Sequence, residues 1–184
     1  MQIKSEHKTS SWSGGKTTEL FIYPQNAIYS ERDFDFRIST ATVEVEESEF
    51  TLLPSYQRIL SVLVGEVTLF VNKQQKVKLK SMEQFSFSGA DDITSKGKIR
   101  DFNVIFLPAW EATLSCQTIS NTIHLQKAAN RFGLVYIVSG KAKIGVSEVT
   151  AEDVIVLDQE MAQELVIEPI DEVFYNYVEI HKSL

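Results

Sequence analysis

The sequence predicts an all-β protein made of two similar modules, and three observations carry that expectation. Apolar segments of strand length recur along the whole chain, turn-forming residues separate them at short intervals, and amphipathic helical periodicity is missing. The strand-like segments are "ELFIY", "FRISTATVEV", "FTLL", "RILSVLV", "VTLFV", "QFSFS" and "FNVIFL" in the first part. They continue as "ATLSC", "TIHLQ", "LVYIVSG", "AKIGVS", "DVIVLD", "QELVIE" and "VFYNYVEI". Pro24, Pro54, Gly65, Gly89, Gly97, Gly140 and Asp158 stand between them. "LKSMEQF" is at best one helical turn, and the polar residues before Trp12 offer no buried strand. Many short strands at this spacing make a sandwich or barrel rather than an α/β fold.

The second half repeats the layout of the first. "RILSVLVGEVTLFVN" (58–72) is an apolar strand, a glycine turn and an alternating strand. "LVYIVSGKAKIGVS" (134–147) has the same order, with Gly65 matching Gly140 at an offset of 75 residues. A further strand follows each, in "EQFSFSG" and "AEDVIVLD". A single module would leave an open sheet edge and an exposed apolar face, so the two are expected to pack tightly. The expected modules are residues 1–110 and 111–184.

Composition narrows the function. The 184 residues are 43% hydrophobic and 23% charged, ordinary for a soluble globular protein. A net charge of −7 argues against a nucleic-acid or anionic-membrane surface. No run of 18 apolar residues occurs, and the N-terminus lacks the apolar core of a signal peptide. The single cysteine, Cys116, has no internal disulfide partner, so a cytoplasmic home is expected.

"WSGGKTTEL" (12–20) contains the end of a phosphate-binding loop, Gly15-Lys16-Thr17, but Ser10 stands where the leading glycine belongs. A P-loop follows a buried strand and opens a helix. Here polar residues precede, and a β-rich run ending at Pro24 follows. The paired glycines are read instead as letting backbone approach a neighbour or ligand closely. Trp12 would lie over a barrel mouth, Thr17 and Glu19 would share one strand face, and Lys16 would point outward. A tight turn with an aromatic plug over the core explains the stretch equally well.

The strand–glycine–strand layout followed by an acidic turn resembles a cupin, a small jelly-roll barrel, and two copies make a bicupin. Catalytic cupins carry His-x-His, then Glu, six residues and Gly, a ligand set for a metal. Counting back from Gly65, Arg58 occupies the Glu position, and no histidine pair precedes it. Counting back from Gly140, the position is Gly133. His7, His124 and His181 are far apart in sequence, and a guanidinium stays protonated, so no metal and no other cofactor is expected. The wider motifs resemble the HutD/Ves family. They are Trp12-x-Gly14-Gly15-x-Thr17-x-Glu19-Leu20, "FDFRISTATV" (34–43), "FTLLPSYQRILSVLVG" (50–65), "FSFSGADDI" (85–93) and "DFNVIF" (101–106). The likeness covers about residues 12–107; beyond them it lies mainly in strand pattern. Phe36 and Ser55 depart from the family's usual Trp and Gly. The resemblance implies a metal-free bicupin, association with histidine utilisation, a small acidic metabolite such as formylglutamate as ligand, and a homodimer through sheet edges.

Arg37 and Arg58 are the leading site candidates, because buried arginines are uncommon unless paired and a planar fork suits a carboxylate. Period two puts Arg37 and Ser39 on one strand face, opposite Phe36 and Ile38. Asp101 and Asn103 share a face in the same way. An internal ion pair of either arginine, for example with Glu19 or Asp101, or a plain solvent-facing strand position is the structural alternative. Asp91 and Asp92 read as an acidic turn, and Glu44, Glu46, Glu47 and Glu49 as a charged rim that discourages sheet aggregation. The aromatics of "VFYNYVEI" read as core or dimer surface.

The expected function is a non-catalytic regulator that binds a small carboxylate metabolite in the first module. Its expected ligand-binding residues are Arg58, Arg37, Trp12, Thr17, Glu19, Ser39, Asp101 and Asn103. Two alternatives stay open: a metal-independent enzyme on a small acid with Glu19 or Asp101 as base, and a protein-interaction module that uses a flat sheet face of the second barrel.

Overall fold

A computed structural model describes residues 1–157 and 159–183. Asp158, expected as a turn former at the end of "DVIVLD", lies outside the described residues. The described chain is nearly all strand. The first strands are β1 (Gln2–Lys4), β2 (Lys8–Trp12), β3 (Gly15–Tyr23), β4 (Phe36–Val43), β5 (Glu47–Glu49) and β6 (Gln57–Val71). They are followed by β7 (Gln75–Lys80), β8 (Gln84–Ser88), β9 (Ile93–Lys96), β10 (Ile99–Phe106), β11 (Trp110–Ile119) and β12 (Ile123–Lys127). The last are β13 (Phe132–Ser139), β14 (Lys141–Ile144), β15 (Ser147–Thr150), β16 (Val154–Leu157), β17 (Gln163–Pro169) and β18 (Val173–Lys182). One 3-10 turn, Tyr29–Glu31, interrupts them. No helix among the described residues is long and apolar enough to cross a membrane.

The chain divides into two compact units. The first is His7–Trp110; the second is Met1–Glu6 together with Glu111–Leu184. Residues 1–6, expected with the first module, therefore belong with the second. Their strand β1 pairs Gln2 with Val156 and Lys4 with Val154 of β16. Both β1 and the fully exposed β2 form where the sequence offered no strand, because an edge strand is held by backbone pairing and needs no apolar alternation.

In the first unit, β6 serves two sheets. Its N-terminal half pairs with β8 and β10, and its C-terminal half with β7 and β9. The change of sheet falls at Gly65, whose φ is +92° and whose missing Cβ would come 2.7 Å from the Lys98 carbonyl oxygen. A side chain is excluded there on both counts. In the second unit the equivalent strand is broken into β13 and β14 at Gly140, also at positive φ.

The pairing orders coincide. The first unit contains β8-β6-β10-β4 and β5-β9-β6-β7; the second contains β16-β13-β18-β11 and β12-β17-β14-β15. Arg58 pairs with Phe87 and Ile105, and Gly133 with Leu157 and Glu179, so Arg58 and Gly133 hold the same place in the two copies. Each unit buries its own core between its two sheets. Leu60, Val62, Val67, Leu69 and Ile99 are central in the first, and Val135, Ile137, Ile144, Ile155 and Ile167 in the second. Each such side chain contributes about 1.5–3 kcal/mol of hydrophobic stabilisation.

Candidate functional site

A cavity of about 280 Å³ opens in the first unit, on the face of β4 and β10 that carries the polar residues. Alternation along β4 turns Arg37, Ser39, Ala41 and Val43 to this cavity, while Phe36, Ile38 and Thr40 face the other way. Cross-strand register then places Ile105 beside Arg37, Asn103 beside Ser39 and Asp101 beside Ala41. Arg58 lies across Ile105 on the far side.

Two register shifts tune which side chains face inward. One separates the Glu19–Ser39 and Phe21–Ile38 pairs and leaves Leu20 unpaired, so that Ile22, three residues after Glu19, pairs with Arg37. The other falls between Arg100 and Asp101 against β6. Such bulges change the side-chain phase of a strand and re-aim its residues.

The two arginines are held differently. Arg37 Nε donates to Glu19 Oε2 at 2.7 Å, its Nη1 donates to Ser39 Oγ at 3.3 Å, and its guanidinium lies 4.2 Å from the Tyr29 ring centroid. The internal ion pair considered from sequence is thus present for Arg37. Among the described residues Arg58 touches no carboxylate directly. Its Nη2 donates to Asn103 Oδ1 at 3.1 Å and its Nη1 to the Thr51 carbonyl at 3.3 Å. Phe50 and Phe87 lie 5.1 and 5.0 Å from its guanidinium carbon, which fixes the plane of the fork. Its Nε is buried without a hydrogen-bond partner.

Behind Arg58 the network continues inward. Asn103 Nδ2 donates to Asp101 Oδ1 at 2.6 Å, which fixes the amide with its oxygen toward Arg58 and its nitrogen toward Asp101. Burial pushes the Asp101 carboxyl up to about 7, against the pull of Arg58 and of hydrogen bonds from the Ala41 backbone and Asn103. Burial also draws the Arg58 guanidinium down from its ordinary value, opposed first by Tyr29 and then by Asp101. It nonetheless remains a cation.

Of the eight expected site residues, Arg58, Arg37, Trp12, Thr17, Ser39, Asp101 and Asn103 line this one cavity. Glu19 stands behind the wall as the partner of Arg37. The glycine pair is explained by close approach to neighbours. A Cβ on Gly14 would come 2.0 Å from the Trp12 ring, and one on Gly15 would come 1.8 Å from the Thr42 carbonyl oxygen. Trp12, 39% exposed, therefore lies over Gly14 at the cavity edge, and Lys16 is exposed. Sequence reasoning missed Tyr29, Ser48, Glu49, Phe50 and Thr51, which also line the cavity. The rim reading holds for Glu46 and Glu47, which pair with Lys98 and Lys96, but Glu49 belongs to the cavity wall. Among the described residues, no cluster of His, Cys, Asp and Glu suits a metal ion.

A family model described as HutD matches residues 4–174. The chain belongs to the HutD family. Solved structures agree on the fold. A conserved protein of unknown function from Pseudomonas aeruginosa is 22% identical, with a TM-score of 0.84 over 99% of this chain and 100% of that one. HutD from Pseudomonas fluorescens is also 22% identical, with a TM-score of 0.79 over 100% of both chains. Oxalate decarboxylase from Bacillus subtilis is 9% identical, with a TM-score of 0.70 over 98% of this chain and 77% of that one. This HutD protein is accordingly a bicupin of two tandem jelly-roll barrels. No protein with a curated description matches it significantly in sequence.

Proposed function

We propose that this HutD protein is a non-catalytic regulator whose first barrel holds a small carboxylate metabolite on Arg58 and Arg37. One observation carries the reading: Arg58 lines the cavity, is buried, and has only neutral oxygens as direct partners. A buried guanidinium without a direct counter-ion is costly, and a ligand carboxylate entering the cavity would supply one. Arg37 already has Glu19 on Nε and Ser39 on Nη1, and offers Nη2. Trp12, Tyr29 and Phe50 give an apolar wall for the ligand's carbon skeleton, with Thr17, Ser39 and Ser48 as hydroxyl partners. The family likeness makes formylglutamate, or a related histidine-utilisation intermediate, the first compound to test.

The test is thermal stability of wild type, Arg58→Ala and Arg37→Met against mono- and dicarboxylates with chelator present. A ligand at 100-fold its dissociation constant adds about 2.7 kcal/mol. At roughly 2–4 °C per kcal/mol for this size, the wild-type midpoint rises visibly and that of the folded variants does not. An equal rise in wild type and Arg58→Ala contradicts the reading.

A second reading has its own observation. A carboxyl near 7 inside a cavity suits a general base, so Asp101 would serve a metal-independent enzyme acting on a small acid. Glu19, the other base considered, is engaged by Arg37 and lies off the cavity wall. Turnover that survives chelation and disappears in Asp101→Asn would favour this enzyme over the regulator.

A further inference from the structure

The chain Arg58–Asn103–Asp101 joins the anion site to a carboxyl that is only 3% exposed. Asn103 is 7% exposed and Arg58 8%, so the three groups are screened little by water and feel one another's charge strongly. Among the described residues, Asp101 is the carboxylate linked to Arg58, and the link runs through a single amide. An anion that pairs with Arg58 from the cavity side offsets a cation that favours the ionised form of Asp101 and adds a second negative charge nearby.

We propose that carboxylate binding in the first barrel is coupled to protonation of Asp101: as the ligand anion seats on Arg58, one proton passes from solvent to the Asp101 carboxylate. Nothing is oxidised or reduced and no covalent bond of the ligand changes. The net reaction is uptake of an acid as its anion plus a proton. This rests on the carboxylate reading of the cavity and adds to it a positioning residue that sets how affinity depends on pH.

The other charged and titratable groups facing the site are Arg37 on β4, Glu19 on β3, Tyr29 in the 3-10 turn and Glu49 on β5. Glu19 is held by Arg37 at 2.7 Å, and Glu49 is exposed. Asp101 is different in being buried and in titrating at about 7, so a change of local charge moves its protonation near neutrality. The sign follows from linkage. An anion on Arg58 raises the Asp101 carboxyl further, so the complex binds more protons than the free protein, and affinity rises as pH falls.

The experiment is titration calorimetry of the whole protein with acetate and with glutarate, from about pH 6.5 to pH 8.5, where both acids are essentially ionised. In wild type the affinity weakens as pH rises, approaching tenfold per unit above the free-protein titration. Repeating the titration in two buffers of different ionisation heat measures the proton directly and needs no variant. Uptake approaching one proton per ligand at the alkaline end is expected. Asp101→Asn, the shape of the protonated acid, binds with the same affinity across the range. Binding that is pH-independent in wild type, or a slope that persists in Asp101→Asn, overturns the coupling and leaves the carboxylate site standing. Failure of both acids to bind at any pH overturns the site itself, and the coupling with it.

Discussion

The two barrels share a strand plan and differ in what fills them. In the first, register places Arg58, Asn103 and Asp101 around an open cavity. In the second, the same places hold Gly133, Tyr177 and Tyr175. Tyr175 is fully buried within the apolar cluster and its hydroxyl donates to Gln117, while Tyr177 packs against that cluster and donates to Glu179. Where the first barrel has a guanidinium, the second has a glycine crossed by the stem of Lys127. The Lys127 ammonium donates to the carbonyls of Ala128, Arg131 and Met161. One copy therefore spends its interior on packing. The other keeps a polar cavity with its buried arginine on the wall. Duplication supplied a frame, and three strand positions distinguish the polar cavity of one copy from the apolar filling of the other.

The contrast can be broken by mutation. Tyr175→Ala empties the filled barrel and is expected to cost about 3–5 kcal/mol in denaturant unfolding. Asp101 gives the next largest effect, read from the pH dependence of stability. Its carboxyl titrates at about 7 in the folded protein against 3.8 for the ordinary group. Between those values the unfolded chain releases a proton that the folded one keeps. Stability is then greatest below the lower value, falls as pH rises through the upper one, and levels off above it. The total is up to about 4 kcal/mol, and Asp101→Asn is expected to flatten it.

Smaller changes sharpen the comparison. Lys127→Met leaves the carbonyls of Ala128, Arg131 and Met161 without the buried ammonium and is expected to cost about 1–3 kcal/mol, with carboxylate binding unchanged. At the cavity edge, Glu49→Gln is expected to leave stability within about 0.5 kcal/mol. Removing that negative charge tightens carboxylate binding a few-fold, and the gain fades with salt.

Much of this was legible in the sequence, for identifiable reasons. Period-two alternation and the paired glycines at 65 and 140 expose the duplicated β-plan, because a glycine marks the point where each copy changes sheet. The same alternation groups Arg37 with Ser39 and Asp101 with Asn103. The edge strands β1 and β2 escaped because backbone pairing leaves no apolar signature. The register shift at Leu20 escaped because one unpaired residue has no residue-type mark, yet it sets which residue pairs with Arg37. Tyr29, Phe50 and Thr51 lie outside the strands, where no period says which way a side chain turns. Glu49 looked like its charged neighbours, and only folding separates it from them.

The most direct measurement is 15N NMR of the arginine guanidinium groups during titration with glutarate. The cavity reading predicts saturable shifts of the Arg58 and Arg37 resonances at one common affinity, while Arg131 of the second barrel, paired with Glu179, stays in place. Glutarate binding that moves Arg131, or that leaves Arg58 unmoved, would contradict the claim that the first barrel's arginines are the anion site.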